Sequence, residues 1–129
     1  MKQADPAASL SKMMVSWGAK MASSLHVGFP CKIITFDTQT SRGSLQPLIR
    51  TSDAQPAIIQ NVPALGQRLM IGGVETVCIP ALKAGDIVMV LCADREMKNA
   101  LKGDIARADS TRSHSVNDAV IVGVFPWSL

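Results

Sequence analysis

Two uninterrupted apolar runs, Ile87–Ala93 and Ala119–Phe125, constrain the fold of this chain more than any other feature. Each has the length of a β-strand, far short of the roughly 20 residues that a helix needs to cross a bilayer. In an antiparallel sheet with one wet face, a strand alternates apolar and polar residues. Neither run alternates, so both faces of each are expected to be covered. Val88, Val90 and Cys92 point one way from the first run, and Ile87, Met89, Leu91 and Ala93 the other. One set fills a core. The other meets a helix or a neighbouring subunit, because an exposed row of such residues invites aggregation.

A chain of 129 residues has room for one core and one domain. Its aromatics are Phe29, Phe36, Phe125, Trp17 and Trp127, with no Tyr, so the core is expected to be aliphatic. The mean hydropathy of +0.22 is high for a small soluble monomer and points to apolar surface buried against partners. Lys12 and Lys20 interrupt the only apolar segment near the N-terminus, which argues against a signal peptide. The chain is expected to stay in the cytoplasm until it is assembled.

Residues 1–8 read as a frayed polar tail. From Ser9, a plausible N-cap, Leu10, Met13, Met14, Trp17, Met21 and Leu25 recur at helical steps, with Ser11, Lys12, Ser16 and Lys20 on the other face. Such a stripe packs on its own domain or on a neighbouring copy. Beyond His26 the texture is β. Cys31–Phe36 and Gly43–Thr51 read as strands, and Pro47 places the second at an edge or a bulge. Residues 52–68 read as looser. Leu69–Ile71 and Val74–Ile79 form a hairpin turning at Gly72-Gly73. Asp94–Lys102 is expected to be a short helix stopped by Gly103, and residues 104–117 a polar loop. The fold class that follows is all-β with small α content. It is an OB-like, antiparallel five-stranded barrel over residues 25–129, with an amphipathic helix in residues 1–24 and a short helix before the last strand.

Groups for catalysis are scarce. His26 and His114 lie far apart, and Gly72-Gly73 lacks the Lys-Ser/Thr of a phosphate loop. Ser113-His114-Ser115 has no positioned acid, so it is not read as a triad. Asp94, Glu96, Asp104 and Asp109 alternate with Arg95, Lys98, Lys102 and Arg107, the mark of a solvated surface. Cys31, Cys78 and Cys92 are widely spaced in apolar contexts, which suits buried, reduced thiols better than zinc ligands. No catalytic residue, cofactor or metal is expected. Nucleic-acid binding, the alternative function for a free-standing OB domain, wants stacking aromatics along a basic groove. The basic excess instead lies in the first 50 residues, away from several of the strands.

Four stretches carry a resemblance. They are Phe29–Asp37, Leu45–Ile49, Leu82–Arg95 and Arg112–Ile121, and their order and spacing span nearly the whole chain. The chain resembles the N-terminal OB-fold domain of the membrane-puncturing central spike proteins of contractile-tailed bacteriophages and related injection systems. That resemblance implies a homotrimer in the virion, on the axis of the tail tube, linking the baseplate hub to a piercing tip. It implies membrane contact only during penetration of the host envelope. The sequence ends at Pro126–Leu129 with neither a β-helical repeat nor His-x-His, so a short spike base or adaptor carrying a separate tip protein is expected. Met14, Trp17, Met21, Met89, Leu91, Val122 and Val124 are the expected oligomer interface. His114 and Asp118 are expected to hold the loop before the last strand, Asp118 by tying down the turn through its backbone. One His114 per subunit as a metal ligand on a three-fold axis is the alternative.

Overall fold

A computed structural model describes residues 6–129. Its sheet is antiparallel, with five strands: β1 (Gly28–Asp37), β2 (Arg42–Pro47), β3 (Ile59–Pro63), and two more formed by the apolar runs. Two further strands, β4 (Gln67–Ile71) and β5 (Val74–Cys78), pair only with each other. The runs supply β6 (Ile87–Cys92) and β7 (Ala119–Val124), and the sheet order is β3-β2-β1-β6-β7. It curls into a half-barrel far enough that the chain leaving β3 meets β7. Ala64 bridges Ile121 in parallel, and the Leu65 N–H donates to the Ile121 carbonyl at 3.1 Å.

Every strand of the curl contributes to one aliphatic core. Cys31 and Ile33 come from β1, Leu45 from β2, Val62 from β3, Val88, Val90 and Cys92 from β6, and Ala119 and Ile121 from β7; all are buried. Register brings the right faces together, for Cys31 stands opposite Val88 and Phe29 opposite Val90. Bulges between Ile33 and Thr35, and between Met89 and Val90, sharpen the curl. The β1–β2 turn is held by the Asp37 carboxylate, which accepts from the Gln39 N–H at 2.9 Å. At Gly43 only glycine fits, since a Cβ would run into the Thr35 carbonyl and the Phe36 ring.

The mostly β fold with small α content agrees with the sequence reading, and the details differ in places. The expected looser stretch contains β3, made a strand by its pairing with β2. The hairpin β4–β5 stands apart from the sheet, turning at Gly72 and Gly73, both with positive φ. Pro47 ends β2 at a point β3 no longer covers, since the last β2–β3 pair is Leu45–Ile59; it is a local edge on an inner strand. Asp94–Lys102 forms turns and no helix, with the Ala100 N–H bonded to the Met97 carbonyl and the Gly103 N–H to that of Ala100. A nine-residue segment is too short to stand as a helix without packing, and here Glu96 is drawn into the interior. The helical turn that does precede the last strand is a 3-10 turn, Val116–Asp118, at the end of the stretch read as a polar loop.

Helix α1 (Pro6–Ser24) starts earlier than expected from Ser9, with Pro6 in the first turn, where a missing N–H costs nothing. The expected frayed tail lies, over residues 1–5, outside the described residues. Every residue from Pro6 to Met21 is exposed. The sheet therefore does not cover the apolar stripe of α1, and the stripe does not cover the sheet.

Candidate functional site

Three apolar surfaces remain open on the chain, and they hold most of the expected interface residues. On α1, Met14, Trp17 and Met21 are 64%, 66% and 68% exposed. On the convex face of the sheet, Met89, Leu91 and Val122 are partly open, while the alternate residues Val88, Val90 and Cys92 fill the core. Gly28 stands beside this patch, where an added Cβ would come within 3.1 Å of Met89 Cε. Val124 differs from the others: it is half-buried and packs against the core.

The third surface is the hairpin. Residues directly opposite each other share a face, so the pairs Leu69–Thr76, Ile71–Val74 and Gln67–Cys78 lie together. The other face carries an exposed ion pair, Arg68 Nε to Glu75 Oε1 at 3.2 Å. Leu69, Ile71 and Val74 are open. The sequence reading did not single out this face as open apolar surface. The signal was present in the alternation of Leu69 and Ile71 against Val74 and Thr76 about a two-glycine turn.

The segment between β6 and β7 is tied down by charge. Arg112 donates from Nε to Asp118 Oδ2 at 2.8 Å and from Nη2 to Oδ1 at 3.0 Å. Its Nη1 lies 3.5 Å from Glu96 Oε2, which also accepts from Ser110 Oγ at 2.7 Å. The Asp118 and Glu96 side chains are each 4% exposed, so this is an interior ion cluster. Pairing with Asp118 raises the Arg112 pKa above its ordinary value. The expected solvated surface holds for Asp109, which bonds Lys98 at 3.1 Å and whose carboxyl is lowered by that contact, but Glu96 is buried instead. Asp118 holds this loop twice over, with its carboxylate on the Arg112 guanidinium and with its backbone, whose N–H donates to the Ser115 carbonyl and whose carbonyl accepts from the Ala93 N–H, each at 2.9 Å. A lone carboxylate before a strand gives no hint of a partner six residues upstream.

His114 acts mainly through its backbone. Its N–H donates to the Ala93 carbonyl at 3.1 Å, and its carbonyl accepts from the His26 N–H at 2.9 Å. A positive φ of 47° lets it turn between these two partners, and Nε2 reaches Asp94 Oδ1 at 3.2 Å. Among the described residues, no group of three or more His, Cys, Asp or Glu is placed to hold a metal ion. Cys31 and Cys92 are buried, and Cys78 is half-buried on the hairpin. Burial, with Cys92 nearby, pushes the Cys31 thiol up to about 12, and burial beside Asp118 raises Cys92 too. Both are inert as nucleophiles, because the thiolate is the reactive form. Between the 48–61 segment and the β6–β7 connection lies a groove of about 880 Å³, lined in part by Ile49, Ile58, Met97 and Leu101.

No helix of the described residues is long and apolar enough to cross a membrane. A comparison with the curated proteins found no match. The profile of one family, the phage protein Gp138 N-terminal domain, matches residues 29–123, from the start of β1 to near the end of β7. The matched stretch holds the whole curled sheet, the hairpin and the Arg112 cluster. By that coverage the chain belongs to the phage protein Gp138 N-terminal domain family.

Proposed function

We propose that this chain is a structural, non-catalytic subunit of a phage-type contractile tail. In this reading it is the homotrimeric central spike, or the spike base that joins the baseplate hub and tail tube to a separate tip protein. It adopts an OB-type barrel and resides in the virion baseplate. The observation that carries the reading is the apolar surface left open on a member of a phage protein family. The core of the curl is already full, so Met89, Leu91 and Val122, the hairpin face and α1 have no use for their apolar side chains within one chain. Contiguous exposed patches of this kind mark association surfaces. Three copies about the tail axis supply a closed, symmetric way to cover them. Light scattering on the purified protein at micromolar concentration should give the trimer mass; a monomer overturns the reading. Antibody labelling of virions should mark the baseplate end of the tail.

A further inference from the structure

We propose that α1 is a self-association element, three copies of which pack in parallel and in register into a short coiled coil along the three-fold axis. The inference rests on the trimer reading and names the segment that occupies that axis.

Spacing is the first observation. Ala7, Leu10, Met14, Trp17 and Met21 fall at alternating steps of three and four, which is the a/d seam of two heptads. Met13 flanks that seam and widens it. A mean step of 3.5 residues keeps one seam facing a partner helix along the whole length. A flat lipid surface asks only for an apolar sector.

Stability is the second. Within Pro6–Ser24 the helix has no acidic residue in its first turn and no basic residue in its last, so the charges inside it do not complement the macrodipole. It also carries Gly18 in its interior. An isolated helix of 19 residues and this composition is marginal in water, and most helices in proteins owe their stability to packing. From Pro6 to Met21 every residue is exposed.

Attachment is the third. The Val27 carbonyl accepts from the Cys92 N–H at 2.8 Å, and the His26 N–H donates to the His114 carbonyl at 2.9 Å. Only Leu25 separates these anchors from the end of α1. So short a link does not let the helix fold back over its own sheet. It leaves the sheet where Gly28 pairs with Leu91, so the seam begins where the open patch of β6 ends. An axis running past that patch continues into the three helices.

Charge argues against a membrane. Lys12 and Lys20 are the only charged residues of α1, whereas helices that lie on anionic lipid present a row of basic residues. Lys12 falls opposite the seam, where a parallel bundle holds it in water. A standard interface buries roughly 800 Å² per partner, more than a two-heptad seam offers. The coiled coil therefore forms only when barrel contacts hold the helices at high effective concentration.

The test uses the full chain. In a Trp127→Phe background Trp17 is the sole tryptophan, and its emission should be blue-shifted in the trimer. In a Cys78→Ser background, Met14→Cys should oxidise readily to a covalent dimer, because equivalent seam positions lie within disulfide reach, while Lys12→Cys should stay reduced. Met14→Asp should lose both the blue shift and helical circular dichroism while the sheet signal persists. A trimer whose Trp17 emits as in water, or whose Lys12→Cys cross-links as fast as Met14→Cys, overturns the coiled coil and leaves the trimer standing. A monomer removes both. A blue shift that appears only on adding phosphatidylglycerol vesicles assigns α1 to a membrane and overturns the proposal.

Discussion

The curled sheet and the two elements that project from it use the same aliphatic residues to opposite ends. In the sheet, Val88 and Val90 lose all contact with solvent because β1, β7 and the bulges around them close over one face. In the hairpin, Val74 and Val77 sit on a ladder of equal quality and are left open. A two-stranded hairpin has no second layer, and such a unit is barely stable alone in water. Helix α1 stands in the same position, with Leu10, Met14, Trp17 and Met21 of its apolar stripe exposed. Patterning states that a face must be covered; it does not state which chain covers it.

The sharpest way to break this contrast is within one strand. Val90→Asp places an unpaired charge in the core, and its cost should abolish the fold, read as loss of the sheet signal in circular dichroism. Met89→Asp, one residue away on the convex face, should leave the fold intact and lower the mass in solution. Should both variants unfold, the two faces do not differ and the open patch is only core.

Between these extremes lies the Arg112 cluster, where an interior is built from charge. Asp118→Ala removes both hydrogen bonds to a guanidinium and should cost about 1.5–3 kcal/mol by urea denaturation. Arg112 is about a third exposed and can turn to water, which keeps the loss at the lower end. A loss much larger than that range would mean that Arg112 cannot turn to water and is left with the longer 3.5 Å contact to Glu96.

The smallest effects concern the thiols. Native protein should react with a thiol reagent at Cys78 on the hairpin, and at Cys31 and Cys92 only after denaturation. Cys31 ionises at about 12 in the fold against 9.0 for an ordinary thiol. Unfolding therefore releases its proton more easily, so its contribution to stability is whole below pH 9.0 and is lost as pH rises toward about 12. Cys31→Ala should flatten that alkaline decline in a pH series of melting curves.

Much of the sheet was legible from residues. Strand-like texture and turn glycines placed β1, β2, β4 and β5, and unbroken apolar runs placed β6 and β7, because each carries its pattern within a few residues. β3 was not legible: Ile59–Pro63 is half polar and framed by Pro56 and Pro63, and only its partner makes it a strand. The same limit hid the Glu96–Arg112–Asp118 cluster. Its members lie 16 and six residues apart, and a loop rich in both signs of charge looks solvated until the fold brings one cation over two carboxylates.

The Ala64–Ile121 bridge has a consequence in time. β1, β2 and β3 are consecutive and leave the ribosome before the other strands, so their meander closes through local connections. The curl gains its last wall only when Ile121 has been made. β6 and β7 carry the open convex patch, so a chain truncated before β7 lacks both the closure and part of the surface that other copies would meet. In the proposed assembly, folding completion and competence to associate would thus be read from the same strand.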